Sequence, residues 1–238
     1  MGRSGTGVQP NGQSADRRTH AEGTFPVGAT TAPDALPARR QRVPTKGAQT
    51  RQAILRAAIA RFGRDGYRAS SVADIARDAG VGGTLVYAYF SSKEALFLAA
   101  LDDDAAALIG EGLSHLDEVV DVSEWRMSLF FTLVAAVEQH PLAKRVLGGL
   151  EPGVTDRVHE IPSLAELQKA LADRLRSDQI AGTVRDDIAP DRIATGVVAI
   201  VLSLLMSVVQ LGPQVADVYG DDVEAVFAAA VDRLPAQG

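Results

Sequence analysis

Two short apolar runs hinged on one glycine, within Ser70–Lys93 (SSVADIARDAGVGGTLVYAYFSSK), constrain this chain more than any other stretch. Ser71 stands where a helix N-cap is expected, with Asp74 three residues on, near the positive end of the helix. Val72, Ile75, Ala76 and Ala79 recur at i, i+3, i+4 and i+7, so they share one face. Gly80 follows at once, and glycine accepts the left-handed backbone that ends one helix and turns into another. Ala76 is small enough for the second helix to cross the first closely. Val81, Val86 and Tyr89 supply the inner side of that second helix, which leaves Gly82, Gly83, Thr84, Tyr87 and Ala88 facing outward. The pattern predicts a helix-turn-helix, whose second helix is shaped to lie in a major groove.

A pair of short core helices would share part of this pattern, and the flanks decide against it. Upstream, Thr50–Tyr67 carries an apolar stripe of Ile54, Leu55, Ala58, Ile59 and Phe62, with Gly66 as a C-terminal stop. Downstream, Ser91 and Glu94 read as a capping box that opens a further helix. With Ala60–Tyr67, SVADIARDAGV (Ser71–Val81), LVYAYF (Leu85–Phe90) and SSKEALF (Ser91–Phe97) in this order, the chain resembles the TetR family of bacterial transcriptional repressors. The resemblance is close from Thr50 to Phe97 and holds in outline beyond.

That resemblance implies an all-α protein: a three-helix helix-turn-helix DNA-binding module over 47–92, then a helical ligand-binding and dimerisation bundle over 93–235. It implies a cytoplasmic homodimer on a palindromic double-stranded DNA operator, released by a small-molecule effector, with no cofactor. Thr84 and Tyr87 are the outward residues with hydrogen-bonding groups, and Tyr87, Ser71 and Lys93 resemble the family's phosphate-binding residues. The candidate DNA-contacting set is Ser71, Gly82, Gly83, Thr84, Tyr87, Ala88, Tyr89 and Lys93, with Arg42 and Lys46 ahead of the first helix. The sequence departs from the family pattern at Gly82 and Gly83, where Ser and a larger polar or basic residue are usual. Two glycines weaken the start of the recognition helix and remove side chains that read bases.

A net charge of −6 argues at first against a nucleic-acid partner, but its distribution reverses the inference. Residues 1–98 carry 14 basic against 7 acidic residues, and the remainder 10 against 23. A basic amino-terminal part on an acidic remainder fits a DNA reader with a separate control domain. Residues 1–46 are rich in Gly, Pro, Ser and Ala without periodicity, and read as a disordered tail. Its Arg39, Arg40, Arg42 and Lys46 either reach phosphates and a neighbouring minor groove or belong to a solvated leader. The absence of cysteine excludes disulfides, thiolate metal sites and a Cys nucleophile.

Beyond Ser91 the chain reads as helices: one to about Leu116 with a break near Gly110–Gly112, one over Glu124–Gln139, and a short one from Pro141. Gly148–Pro162 reads as a loop or gate. Helices then start at Ser163, with Leu164, Leu167, Leu171 and Leu175 on one stripe, at Asp191, and at Asp221/Asp222. Ile193–Leu211 holds no charge over a length that could span a membrane. Thr195, Ser203, Ser207 and Gln210 interrupt it and no aromatic belt flanks it, so burial against the bundle and a second subunit is expected, with no membrane partner. Its seam would be Val201, Leu204, Leu205 and Val208, with Phe227 from the last helix. Trp125, Met127, Phe130, Phe131 and Leu133 are candidate walls of a ligand pocket, with His140 and His159 as polar partners. Asp102-Asp103-Asp104 point in three directions on a helix and read as a solvated face, and the scattered histidines give no metal site. An enzyme finds no support, since GxSxG, Walker-type and strand-borne GxGxxG motifs are missing. An architectural or membrane-associated DNA-binding protein without a ligand switch is the other alternative.

Overall fold

The computed structural model describes residues 45–114, 130–155 and 157–232, and these residues are helical apart from turns and one isolated bridge between Val184 and Asp232. Helix α1 (Lys46–Ala69) is capped by Thr45, whose hydroxyl accepts from the Ala48 amide at 3.2 Å. Ile54, Leu55, Ala58 and Phe62 form its buried stripe. The expected stop at Gly66 is a break within the helix, with φ 84° and ψ 168°. A side chain there would also collide with Arg145 and Glu151. The break frees the Tyr67 amide from the helical ladder, and the buried Glu151 carboxylate accepts it at 3.0 Å while also accepting from Arg145 Nε at 2.7 Å.

Helices α2 (Val72–Asp78) and α3 (Gly83–Tyr89) cross at the turn around Gly80, which takes φ +69°. Helix α4 (Lys93–Leu113) is capped by Ser92, not Ser91: Ser92 is the extended residue, and its hydroxyl accepts from the Ala95 amide at 3.0 Å. Glu94 is then free to bond Arg157, at 2.7 Å, instead of closing a capping box. Phe97 packs its ring against Phe62 and Tyr67 at 5.0 and 5.3 Å, and this aromatic cluster joins α4 to α1. Helix α4 also runs unbroken through Gly110 and Gly112. Burial of Leu108 and Ile109 in the same turn outweighs a glycine's propensity cost of about 1 kcal/mol.

The next helix, α5 (130–136), ends in a 3-10 turn at Val137–Gln139, and Pro141 opens α6 (Pro141–Leu147). The segment expected to be a plain loop contains a short helix α7 (Pro152–Thr155) and a 3-10 turn at Val158–Glu160. Helices α8 (Pro162–Ala181) and α9 (Pro190–Leu211) pack side by side, and α10 (Gln214–Val231) lies against α9. Helix α10 starts at Gln214, ahead of the expected Asp221, because buried Val215 and Ala216 pin its first turn to the core. Helix α9 is long and apolar enough to cross a membrane by length and composition, and one of its faces is buried within the chain.

Asp102, Asp103 and Asp104 do diverge, but each finds a partner on another helix. Asp102 accepts the Ser163 amide at the start of α8 (3.0 Å), and Asp103 accepts Gln52 Nε2 of α1 (2.9 Å). Asp104, 5% exposed, accepts the Leu142 and Ala143 amides of α6 at 3.0 and 2.9 Å. His140 Nδ1 lies 3.1 Å from the same carboxylate, and its Nε2 lies 3.3 Å from Glu111. The triplet is therefore a set of three struts holding α8, α1 and α6 to α4. Neighbouring helical positions differ by about 100°, so consecutive carboxylates reach different elements.

Candidate DNA interface and effector cavity

The turn between α2 and α3 is fixed from both sides. Ser71 caps α2, its hydroxyl accepting the Asp74 amide at 3.1 Å and donating to Asp74 Oδ2 at 2.8 Å. That hydrogen bond, followed by Arg77, holds the Asp74 carboxyl below the usual carboxylate range. Arg64 does the same to Asp65. Buried Ser70 donates its hydroxyl to the Gly66 carbonyl at 2.8 Å and so ties the end of α1 to the start of α2. Arg61 bridges α1 to α2 through Asp78 at 2.5 Å. Val86 is buried beneath α3, and Val81 and Tyr89 are half-buried against the core. The Tyr89 hydroxyl comes close to Gly47 at the start of α1.

Helix α3 consequently presents a free face. Gly82, Gly83, Thr84, Tyr87 and Ala88 are all exposed, Tyr87 at 56%. Leu85, which is not among the inward Val81, Val86 and Tyr89, shares this exposure at 41%. Gly82 caps α3 without a side-chain hydrogen bond, and open space surrounds both glycines. Lys46 is exposed at the first residue of α1, and Arg42 lies outside the described residues. Lys93 is half-buried, with its ammonium 4.5 Å from the centroid of the Tyr67 ring. Ser71 is exposed, with its hydroxyl committed to Asp74.

The acids of this region are consumed internally: Asp74 by Arg77 (2.5 Å), Asp78 by Arg61, and Asp65 by Arg64 (2.7 Å). Lys46, Arg56 and Arg68 make no ion pair among the described residues, and Arg51 lies over the Phe90 ring at 5.3 Å. Lys46 is expected here from its place ahead of the first helix, whereas Arg51, Arg56 and Arg68 are not singled out by the motif. A surface with paired acids and unpaired bases attracts phosphates.

The candidate pocket residues do not converge. Trp125 and Met127 lie outside the described residues, Phe130 is buried in the core, and Phe131 is exposed. His140 is committed to Asp104 and Glu111, and His159 is exposed. An apolar cavity of about 60 Å³ lies between α4, α6, α8 and α9. Leu133 is its one wall among the expected residues; others include Leu101 and Ala105 of α4, Leu167 of α8, and Val198 and Leu205 of α9. No polar side chain lines it among the described residues. Aliphatic spacing on these helices is visible in the sequence, but core and cavity wall share one pattern there.

The residues expected in a dimer seam are buried within the single chain. Val201, Leu204, Leu205, Val208 and Phe227 are at most 9% exposed because α8, α9 and α10 pack them inside the chain's own core. The apolar residues left on the surface of α9 and α10 are Ile200, Leu211, Val218, Tyr219 and Val226. Ile200, Tyr219 and Val226 share a groove with Ser203, Ser207 and Asp222.

Residues 54–100 match the family model described as bacterial regulatory proteins, tetR family. An HTH-type transcriptional repressor of Mycobacterium tuberculosis is 31% identical over 141 residues, covering 58% of this chain and 68% of the repressor. A TetR-family transcriptional regulator from Cytophaga hutchinsonii has a similar structure, with TM-score 0.64 and 17% identity over 82% of this chain and all of the other (100%). A TetR-family transcriptional repressor from Thermus thermophilus in complex with lauroyl-CoA has TM-score 0.58 and 20% identity, over 79% of this chain and 98% of the other. At such identities the structural likeness is one of fold.

Proposed function

This chain belongs to the TetR family of bacterial regulatory proteins, and from that premise we propose that it is a homodimeric repressor released from a palindromic operator by a small apolar molecule. The observation that carries the reading is the free face of α3, with Thr84 and Tyr87 outward, near Lys46, whose neighbour Gly47 meets the Tyr89 hydroxyl, and Arg51, which lies over the Phe90 ring. Tyr87 and the basic residues hold phosphates in this account, and Thr84 reads a base edge. The apolar groove of Ile200, Tyr219 and Val226 faces its copy in a second subunit, which sets the spacing of the two α3 helices.

Release is a coupling between the cavity and the DNA face. Helices α4 and α6 border the cavity and also pack on α1, so a change in cavity volume bears on the DNA-binding module. The Thermus thermophilus repressor that shares this fold was solved with lauroyl-CoA, in keeping with an apolar effector here. No catalytic step is involved. The test is selection of bound duplexes from a random pool. An inverted repeat is the expected product, and enrichment of no two-fold symmetric sequence overturns the proposal.

A further inference from the structure

On the reading that α3 enters a major groove, the side chains it offers there narrow the bases it recognises. The N-terminal residues of a recognition helix are those that meet base edges. Here these are Gly83, Thr84 and Leu85, behind the cap Gly82, and all four are exposed. A side chain at either glycine would meet nothing within 4 Å, so the start of the helix is bare and its backbone is free to come close to the bases. The helix holds no Arg, Lys, Asn, Gln, Asp or Glu. Guanine is read in the major groove by a bidentate Arg or Lys, adenine by a bidentate Asn or Gln, and cytosine by a carboxylate. None of these pairings is open to α3. The Thr84 hydroxyl remains, and a hydroxyl suits several bases.

Leu85 is the largest apolar group at this end of the helix. It is 41% exposed, while Val86 beside it takes the inward position at 1%. Ala88 lies three residues on and is also exposed, so the two make one apolar patch on the outward face. We infer that α3 identifies its operator through thymine methyl groups, with Leu85 as the residue that covers them and Ala88 beside it. Of the four bases, thymine alone carries a methyl group into the major groove. Burial of one methyl favours thymine over the same base without it by about fourfold. Phosphate contacts supply affinity whatever the sequence, and the methyl contacts supply the choice.

The test takes the full chain and the duplex recovered by random selection. Thymines are replaced one at a time by deoxyuridine, which lacks the methyl and keeps every hydrogen-bonding group, and affinity is read by fluorescence anisotropy. The expected result is a loss of about fourfold at one or more thymines in each half-site. Leu85→Ala should weaken binding to the parent duplex by a similar factor and then bind the thymine and deoxyuridine duplexes alike, whereas Leu85→Met should keep the preference. A methyl contact releases no counterion, so the thymine-to-deoxyuridine ratio should hold across a salt series in which overall affinity falls. Equal binding with deoxyuridine at every position overturns the methyl assignment and leaves the operator reading standing. A preference that survives in Leu85→Ala overturns the role of this residue. Selection that enriches no two-fold symmetric sequence overturns the operator reading and the methyl assignment with it. The deoxyuridine series is read on the unaltered chain, and so decides the matter should Leu85→Ala fail to fold by circular dichroism.

Discussion

Replacing Asp104 with Ala removes the strut that joins α4 to α6. Its carboxylate is 5% exposed and accepts two backbone amides, from Leu142 at 3.0 Å and Ala143 at 2.9 Å, besides facing His140 Nδ1. Each amide left buried without an acceptor costs about 1–3 kcal/mol. Loss of a capping side chain is worth about 1 kcal/mol, and an ionised carboxylate's hydrogen bonds are each worth about 1.5–3 kcal/mol. These contributions overlap, so the expected loss is about 3–5 kcal/mol, or about 10 °C in Tm for a chain of this size. His140→Ala should cost less, about 1–2 kcal/mol, because Asp104 keeps both amides and Glu111 is already exposed. Urea unfolding followed by circular dichroism, at one fixed protein concentration, measures both. The double variant should lose less than the sum of the two. A cost for Asp104→Ala below about 1 kcal/mol, or equal to that of His140→Ala, refutes the strut argument.

Four further outcomes follow from the same geometry. Tyr87→Phe should weaken binding to every DNA sequence if the hydroxyl holds a phosphate; a loss confined to one base-pair change in gel-shift titrations would make Tyr87 a base reader instead. Gly83→Lys should tighten operator binding, since open space surrounds the position, helix propensity rises by up to about 1 kcal/mol and a cation is added. Leu205→Arg should unfold the chain, whereas Val226→Arg should leave it folded by circular dichroism and monomeric by light scattering; a dimeric Val226→Arg protein would move the interface elsewhere. Asp65 and Asp74 have carboxyls held low in the folded state, by Arg64 and by Ser71 respectively, so their ionised forms favour folding above the unfolded value of about 4. Stability from them is lost as pH falls through the lowered values, and a decline that sets in above about pH 6 in unfolding curves would have another origin.

The helix-turn-helix was legible because it rests on local chemistry. A cap at Ser71, a left-handed residue at Gly80 and an apolar period through Val72 and Ala79 are satisfied within a few residues of each other. The struts were not legible. That Asp104 faces the amides of α6 depends on packing between residues 38 and 39 positions apart, which no local period encodes. The seam of α9 failed for a related reason: the helix is apolar on most of its circumference, so its composition announces burial without saying which face meets α8 and α10. Exposed Ile200 and buried Val201 are adjacent and equally apolar, and only the fold separates them. The cavity walls are ordinary aliphatic core residues, whereas Phe130 and His140 are packed elsewhere, Phe131 and His159 are exposed, and Trp125 and Met127 lie outside the described residues.

The central claim is that two copies of α3 read one symmetric DNA site. Hydroxyl-radical footprinting of the full chain on the duplex recovered by random selection tests it most directly. The account predicts protected patches related by two-fold symmetry, with half-site centres about 10 bp apart or a small multiple of that spacing. A single unsymmetric patch, or protection spread evenly along the duplex, would contradict it.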